Sequence, residues 1–304
     1  MIYNFGSVNV DNVYRVPHLV RPGETLASTH YVQVLGGKGA NQSLAAARAG
    51  AKVEHLGAIG AADGWILALL DSAGIGTRHL ATLDDIPSGH TVIQVDDQAE
   101  NSIVLFPGAN RAVPNEHLEA AITAAQPGDW LLAQNECGDL SRVIELALAK
   151  RLRIALNPAP MEATIARLPL ERIDMLFVNR GEAQMLLAAL GDQVEEHDHQ
   201  RMLDLLAARY PGLELVLTLG GDGVRYANGE LRLARPAFQV EARDTTAAGD
   251  TFVGYFLAAR QQGEQPEAAL ALASAASALC VQREGASSSI PERDEVDAFI
   301  AAQA

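Results

Sequence analysis

Cysteine, aromatic side chains and cationic charge are all scarce in this chain. Its 304 residues include two cysteines, Cys137 and Cys280, neither in a CxxC pair nor near a histidine at metal-ligand spacing. A disulfide framework or a zinc site is therefore not expected. Lysine and arginine number 23 against 38 aspartate and glutamate residues, for a formal net charge of −15. Nucleic-acid binding is not expected either, because it needs clustered cations to neutralise phosphates.

Long apolar runs are also missing. The longest weakly polar stretch, residues 268–282, is mostly Ala, Leu and Ser and is too short to span a bilayer, so no membrane partner is expected. The first residues show no basic stretch followed by an apolar run. We therefore expect no signal peptide and a cytoplasmic location.

Short apolar runs alternate with Ala- and Leu-rich helical patterns along most of the chain. Such runs are typical of buried parallel strands that helices cover on both faces. The predicted strands are Lys52–Leu56, Asp129–Ala133, Arg153–Leu156, Met175–Val178 and Leu213–Leu217. The predicted helices are Asn41–Ala49, Trp65–Ala73, Asn115–Ala125, Leu140–Lys150, Gln184–Leu190, Gly249–Gln262 and Pro266–Arg283, with a last one after Pro291. The sequence therefore predicts an α/β fold, a parallel sheet flanked by helices.

Two segments, Val8–Leu35 and Ser88–Phe106, depart from this alternation. They contain alternating strand patterns with no helix between them. We predict that residues 8–35 and 88–106 form a small β-sheet lid on a body made of residues 1–7, 36–87 and 107–304. A half-exposed sheet of this kind suits covering a site or pairing with a second subunit. Gly191–Gln200 is predicted to be a solvated loop.

The strongest local signal is Asp244–Phe252, DTTAAGDTF, between a predicted strand, Phe238–Ala242, and a helix that opens near Ala248. Helix N-termini offer unpaired N–H groups to anions. A carboxylate in the same turn, Asp250, suits phosphoryl transfer, because the amides stabilise charge while the carboxylate takes the acceptor's proton. Composition alone favours a simpler alternative, in which Thr246 caps the helix and Asp250 only interacts with its dipole.

Two glycine-rich segments allow two interpretations each. Gly36–Gln42, GGKGANQ, fails the phosphate-loop pattern because Gly39 follows Lys38, and it fails GxGxxG. It is either a turn that leads into a helix or a turn that contacts a polar ligand. Thr218–Val224, TLGGDGV, is more typical of a hairpin turn than of a nucleotide contact. Asn179–Glu182 is typical of an ordinary helix start.

Taken together, these motifs resemble the ribokinase family of carbohydrate kinases, the PfkB superfamily. The resemblance runs in order along nearly the whole chain. It is carried by GSVNVD (6–11), RPGET (21–25), GGKGANQ (36–42), SIVLFPGAN (102–110), LNPAP (156–160), Asn179–Glu182, TLGGDGV (218–224) and DTTAAGDTF (244–252). It implies a ribokinase-like α/β fold and ATP-dependent phosphorylation of a sugar, with the 5-hydroxyl of D-ribose as the expected acceptor.

Other family acceptors, such as deoxyribose, fructose or a nucleoside, are the alternatives. A phosphofructokinase activity is disfavoured because the lid segments offer few cations for a substrate phosphate. A non-catalytic sugar-binding relative is disfavoured by the intact Asp250.

The resemblance also implies roles for individual residues. Asp250 is implied as the catalytic base, with an anion hole of Ala247, Ala248 and Gly249. The sugar-binding set is implied to be Asn9, Asp11, Gly37, Lys38, Gly39, Ala40, Asn41, Glu136 and Asp250. The nucleotide-binding set is implied to be Asn179, Thr218, Leu219, Gly220, Gly221, Asp222, Gly223, Gly249 and Ser274. A monovalent-cation site, for K⁺, is implied at Asp244, Thr246, Cys280, Arg283, Gly285 and Ser289. Glu182 is implied to be linked to Mg²⁺, and the lid is implied to form a homodimer.

Overall fold

The structure is a computed structural model that describes residues 1–98 and 100–303. Its strands are β1 (Ile2–Phe5), β2 (Asn9–Arg15), β3 (His30–Gly36), β4 (Val53–Gly60), β5 (Gly76–Leu83), β6 (Gly89–Val95), β7 (Asn101–Phe106), β8 (Trp130–Gln134), β9 (Arg153–Asn157), β10 (Met175–Asn179), β11 (Glu214–Thr218), β12 (Val224–Asn228) and β13 (Leu231–Arg235). Its α-helices are α1 (Lys38–Arg48), α2 (Trp65–Ser72), α3 (Asn115–Ala124), α4 (Leu140–Lys150), α5 (Arg180–Ala189), α6 (His199–Arg209), α7 (Ala248–Gln261), α8 (Pro266–Cys280) and α9 (Arg293–Gln303).

A large sheet organises the body of the molecule. In the described residues it has nine strands in the order β13-β12-β11-β10-β9-β8-β1-β4-β5. The strands from β11 to β5 are parallel, and β12 and β13 add an antiparallel edge. Apolar clusters bury its two faces against helices, which explains why the strands have near-continuous apolar sequences. The predicted α/β fold is confirmed.

A second, smaller sheet is built from the two segments that lack helices. Its four described strands run in the order β3-β2-β6-β7. β2 pairs antiparallel with β3 and parallel with β6, and β7 returns antiparallel along β6. We call these strands the small sheet. They lie within the two segments predicted to form a lid, except that β3 ends one residue later, at Gly36.

Two local predictions are wrong. Phe238–Ala242 is not a strand in the structure. The Phe238 ring packs edge-on against Phe299 of α9, with ring centroids 5.2 Å apart, so its apolar partner is a helix and not a neighbouring strand. The predicted loop 191–200 is also too long, because α6 begins at His199 behind an Asp198 side chain that accepts from the Arg201 amide.

The parallel strands place their carboxyl ends along one edge of the large sheet. Residues Gly6–Asn9 follow β1, Asn135 and Glu136 follow β8, and β9 and β10 end at Asn157 and Asn179. This edge is the usual ligand-binding side of an open α/β sheet. Within the described residues, no helix is long and apolar enough to cross a membrane.

Candidate active site

The N-terminal turn of α7 presents a carboxylate beside free amides. The residue before the helix, Ala247, has a left-handed backbone with φ of 60°, a conformation that costs a non-glycine residue energy and is often found at functional sites. The Thr246 side chain does not cap the helix in the described structure, so the predicted Thr246 cap is wrong. The amides of Gly249 and Asp250 donate no hydrogen bond among the described residues. A methyl group built on Gly249 would meet no atom within 4 Å, so an anion has room to approach.

Asp250 is held in place by two amide side chains of α1. Asn41 Nδ2 donates to Asp250 Oδ2 at 3.0 Å, and Gln42 Nε2 donates to Oδ1 at 2.9 Å. Burial raises the pKa of Asp250 above its ordinary value, although the Lys38 ammonium and these two donors act in the opposite direction. The carboxylate is therefore fixed in orientation and is a stronger base than an exposed aspartate.

Gln42 links Asp250 to a buried network of amides. Its Nε2 also donates to Asn157 Oδ1 at 3.0 Å, and its Oε1 accepts from Gln134 Nε2 at 2.7 Å. Gln134 Nε2 donates in addition to Asn4 Oδ1 at 2.9 Å. Because a carboxylate only accepts, each member of this chain has one allowed orientation. The network therefore locks the rotamer of Gln42 and, through it, the position of Asp250.

The GGKGANQ segment forms the turn that begins α1. Gly37 has φ of 92°, which favours glycine. A Cβ on Gly39 would lie 2.4 Å from Gly6 Cα, so only glycine lets α1 approach β1 this closely. The interpretation as a helix-leading turn is correct, and the same turn carries Lys38 and Asn41 to Asp250.

Lys38 lies among three carboxylates at this site. Burial lowers the pKa of Lys38, but Asp250, Glu136 and Glu182 outweigh it, so the net pKa is raised. The Glu136 carboxylate accepts from the Ser7 hydroxyl and, at 3.2 Å, from the Lys38 amide. An ammonium that stays charged in this buried position can neutralise a negatively charged phosphate or transition state.

Asn9 and Asp11 project from one face of β2. Both are buried. Asp11 Oδ1 accepts from the Thr91 hydroxyl at 2.7 Å, and Asn9 Oδ1 accepts from Asn110 Nδ2 at 2.8 Å. Burial raises the pKa of Asp11. These polar groups of the first lid segment are therefore anchored by β6 of the second lid segment and by the turn after β7, which belongs to the body.

The candidate nucleotide residues surround the ends of β10 and β11. Asn179 and Glu182 form a reciprocal capping box at the start of α5. Residues 220–222 form a short turn that joins β11 to antiparallel β12, so the hairpin interpretation is correct. A methyl group on Gly220 or Gly221 would meet nothing within 4 Å. The turn therefore exposes bare backbone against which a flat ligand can lie.

Other residues support this turn or lie next to it. Gly223, with φ of 94°, packs so that a Cβ would lie 2.1 Å from Arg235 O, which requires glycine there. Arg180 donates to Leu219 O at 3.2 Å and pairs with Asp222 at 2.7 Å. Ser274 is half-buried on α8, one helical turn from Ser277, whose hydroxyl donates to Ala248 O at 3.0 Å.

Most of the candidate cation residues meet behind the anion-hole turn. Asp244 accepts from the Thr246 and Gly285 amides, each at 2.9 Å, and these bonds outweigh burial to hold its pKa below the ordinary value. Cys280 Sγ lies 3.6 Å from Thr246 O and 3.1 Å from Ser289 Oγ. Carbonyl and hydroxyl oxygens of this kind suit a monovalent cation.

Among the candidate cation residues, Arg283 differs because its side chain forms an ion pair elsewhere. Its guanidinium pairs with Glu295 of α9 at 2.6 Å, which leaves only its main-chain oxygen for the loop. Glu284 turns toward the small sheet and lies 3.4 Å from Arg15.

The site fits Mg²⁺ only if substrate phosphates supply some of the oxygens that bind the ion. No group of three or more His, Cys, Asp or Glu side chains in residues 1–98 and 100–303 is arranged to hold a metal ion. Glu182 Oε2 accepts from the Asn179 amide at 2.9 Å, and its Oε1 makes no hydrogen bond to the described residues. One free carboxylate oxygen suits Mg²⁺, which usually keeps several waters and binds substrate phosphates.

Comparison with known proteins decides the family. Residues 1–293 match the pfkB family carbohydrate kinases. The chain belongs to that family. Ribokinase of Haemophilus influenzae is 37% identical to it over 304 residues, covering 97% of this chain and 96% of that protein. Ribokinase from Cryptococcus neoformans var. grubii, solved with ADP, has a TM-score of 0.86 at 35% identity, covering 98% of both chains. Arabidopsis thaliana ribokinase with ribose and ATP has a TM-score of 0.85 at 26% identity, also over 98% of both.

This member of the pfkB family also contains supporting residues that sequence reasoning left without a role. They are Ser7, Gln42, Thr91, Asn110, Gln134 and Asn157. Each bonds a candidate site residue or the amide network behind Asp250. Gln42, Asn110 and Asn157 stand inside motifs that carried the resemblance, so their presence in GGKGANQ, SIVLFPGAN and LNPAP was the available signal. Ser7 lies within GSVNVD, whereas Thr91 and Gln134 had no comparable signal.

Proposed function

We propose that this pfkB-family enzyme transfers the γ-phosphoryl group of ATP to the 5-hydroxyl of D-ribose, giving ribose 5-phosphate and ADP. The observation that carries the proposal is the carboxylate of Asp250, fixed by Asn41 and Gln42 beside the free amides of the α7 N-terminus. The choice of ribose is supported by the ribokinase relatives, one of them solved with ribose and ATP. Because ATP is abundant in the cytoplasm, the proposal also favours that location.

Asp250 takes the proton of the 5-hydroxyl as the bond between O5 and the γ-phosphorus forms. The bond from that phosphorus to the β,γ-bridging oxygen breaks, and its electron pair leaves with ADP. Charge on the transferring phosphoryl group is stabilised by the amides of the turn Ala247–Gly249 and by Lys38. Such preorganised donors act without further reorganisation, which is why the locked network behind Asp250 supports the proposal.

The sugar is proposed to bind between the small sheet and the start of α1. Asn9, Asp11 and Glu136 offer hydrogen bonds to its hydroxyls. Asn41 Oδ1 is buried and makes no hydrogen bond to the described residues, so it is free to accept one from the sugar. Gly37, Lys38, Gly39 and Ala40 form the turn against which the sugar lies. An unpaired buried group rejects a sugar that lacks its partner hydroxyl.

ATP is proposed to lie along Thr218–Gly223, with Asn179 and Ser274 at its edges and Gly249 at its phosphates. Mg²⁺ bound near Glu182 would neutralise phosphate charge. K⁺ held by the oxygens of Asp244, Thr246, Cys280, Gly285 and Ser289, with the carbonyl of Arg283, would order the amides of the anion hole.

We also propose that the small sheet acts as a lid and joins two copies of the chain. Directly opposed residues form an apolar row across all four strands, Val32–Val13–Ile93–Ile103. Val32 and Ile103 are 39% and 55% exposed. The row lies on the face that carries Asn9 and Asp11, since residues two apart in a strand share a face. A second small sheet placed over this row would bury it and shelter the sugar.

A sugar panel tests the proposed reaction. Pentoses, hexoses and nucleosides are assayed with ATP and Mg²⁺ by ADP release, and the products are identified. D-Ribose should have the highest kcat/KM and should yield the 5-phosphate. It should exceed 2-deoxyribose by roughly 5- to 150-fold, and Asn9→Met should reduce that ratio, because an unpaired buried polar group costs about 1–3 kcal/mol. A higher kcat/KM for another sugar would refute ribose as the substrate.

A further inference from the structure

Two buried asparagines from distant segments form a pair at the proposed sugar site. Asn9, at the start of β2, is 5% exposed, and Asn110, in the turn after β7, is 2% exposed. Asn110 Nδ2 donates to Asn9 Oδ1 at 2.8 Å. Asn110 Oδ1 accepts from the Val8 amide at 2.9 Å. The pair packs against the backbone of β6, where a Cβ on Gly89 would lie 2.1 Å from Asn110 Nδ2 and 2.3 Å from Asn9 Oδ1.

The chemistry of these contacts fixes the orientation of both amides. The oxygen and nitrogen of an asparagine amide are nearly alike in shape, so only their partners distinguish them. The backbone N–H of Val8 can only donate, so the Asn110 atom that faces it is the oxygen. The other Asn110 atom is the NH₂ group, which can only donate, so Asn9 must present its oxygen to it. Asn9 Nδ2 then points away from the pair, and it has no hydrogen-bond partner among the described residues.

We propose that Asn110 is a positioning residue for sugar specificity, which fixes Asn9 so that it donates to the 2-oxygen of the sugar and does not accept from it. The proposal rests on the proposed ribose kinase function, and it specifies that Asn9 is the donor in the hydrogen bond to the sugar. Without Asn110, the Asn9 amide could turn over and accept a hydrogen bond from the same hydroxyl. A free hydroxyl would not distinguish the two states, because it can rotate to donate or to accept.

A fluorine at the 2-position does distinguish them, because it accepts weakly and cannot donate. We measure kcat/KM for 2-deoxy-2-fluoro-D-ribose and for 2-deoxy-D-ribose. The informative quantity is the ratio of the value for the fluorinated sugar to the value for the deoxy sugar. In the parent this ratio should exceed one. In Asn110→Asp the new carboxylate can accept from both the Val8 amide and Asn9 Nδ2, which turns the Asn9 oxygen toward the sugar. The ratio should then fall below one, a change of about 5-fold or more.

Control variants separate this effect from charge and from folding. Asn9→Leu combined with Asn110→Asp keeps the added charge and removes the amide, so its ratio should return toward one. Asn110→Leu leaves the Asn9 amide free to turn and should also bring the ratio toward one. A variant that only loosened the fold would lower kcat/KM for both sugars and leave the ratio unchanged. Thermal unfolding and ATP affinity are measured for every variant.

The outcomes are distinct. A parent enzyme that phosphorylates neither ribose nor its analogues refutes the proposed function. An active parent with an unchanged ratio in folded Asn110→Asp or Asn110→Leu overturns the role of Asn110. If neither Asn110 variant folds, Asn9→Asp decides, because it keeps the contact with Asn110 Nδ2 and presents an oxygen to the sugar. The parental ratio in Asn9→Asp would overturn the proposal, and a ratio below one would support it.

Discussion

At the scale of single residues, burial makes the negative charge of the proposed base, Asp250, energetically unfavourable, and two amide side chains fix the position of its carboxylate. Burial raises the pKa of Asp250, while Gln42 and Asn41 hold both of its oxygens. A raised pKa means that the ionised form is disfavoured in the folded protein relative to the unfolded chain. The ionised form of Asp250 that the proposed mechanism needs is therefore not the form that maximises stability.

Asp250→Asn should lower kcat by about 10²–10⁴ while the protein stays folded and binds both substrates. The new amide oxygen can accept from Gln42. The new amide nitrogen can donate to Asn41, whose Oδ1 has no partner among the described residues and can turn to accept. Because the variant has no buried carboxylate charge at this position, its midpoint of thermal unfolding should equal or exceed that of the parent. Kinetics, calorimetric titration with ribose and ATP, and thermal unfolding check this. Near-parental turnover in a folded variant would contradict the role of base.

The pH dependence of kcat/KM should show an acid limb from Asp250. The proposed base works only when ionised, so activity should fall as pH drops through its folded-state pKa, which lies above the ordinary value of 3.8. The contribution of Asp250 to stability has the opposite sign, because protonation removes the cost of the buried charge as pH falls through the same range. Circular dichroism should therefore show a folded protein where activity is lost. An acid limb at or below the ordinary aspartate pKa would contradict this assignment.

At the scale of elements, strands and helices with strong periodicity were predictable, and sites made from several elements were not. Apolar residues run without interruption through the middle of β8, β9, β10 and β11, and polar residues stand only at the strand ends, so local sequence identifies these strands. Residues 238–242 also have a strand-like pattern, with apolar and polar residues alternating. The partner of Phe238, however, is α9, some sixty residues later in the chain, and no local pattern contains that contact. Likewise, DTTAAGDTF alone favoured a structural interpretation of Asp250. Only the contacts of Asn41 and Gln42 from α1 give the Asp250 carboxylate the fixed orientation on which its proposed role as base rests.

The loop after α8 should make the enzyme respond to potassium. Gly285 bonds Asp244, and Asp244 in turn holds the Thr246 amide one residue before the anion hole. A cation bound there by oxygens would order the turn. Couplings between two ligand sites typically amount to about 5–150-fold, so we expect kcat/KM to rise by a factor in that range. Rates in potassium chloride and in tetramethylammonium chloride at equal ionic strength are compared. Equal rates would remove the cation site from the proposal.

At the scale of the whole molecule, the small sheet exposes several large apolar side chains on its edge strand β7. Ile103, Val104 and Leu105 of β7 are 55%, 67% and 51% exposed. Alternation along the strand puts Ile103 and Leu105 on the face of the apolar row and Val104 on the opposite face. Exposed apolar patches of this kind commonly mark contact surfaces. Ile103 and Val104, on opposite faces of the same strand, are therefore a matched pair of positions for testing which face makes the contact.

Ile103→Lys should convert a dimer to a monomer, whereas Val104→Lys should leave the dimer intact. A charge on the apolar row must be desolvated when the two small sheets meet, but a charge on the opposite face stays in solvent. Light scattering after gel filtration measures the mass of both variants and of the parent. A parent that is monomeric at all concentrations would refute the dimer. If both variants dimerise, the apolar row is not the interface.

The loop of residues 284–289 contacts two regions of the proposed site. One is strand β3 of the small sheet, and the other is the segment that leads into the proposed anion hole. Ser287 Oγ donates to Leu35 O, at the base of β3, at 2.7 Å, and Gly285 bonds Asp244 beside the anion hole. A segment bonded to both can couple the two proposed binding events, and thermodynamic linkage between binding events is reciprocal. If potassium lowers the dissociation constant of the sugar, the sugar must lower that of potassium by the same factor. The potassium concentration for half-maximal activity should then fall as the ribose concentration is raised, so the two ligands would behave as cooperative partners at separate proposed sites.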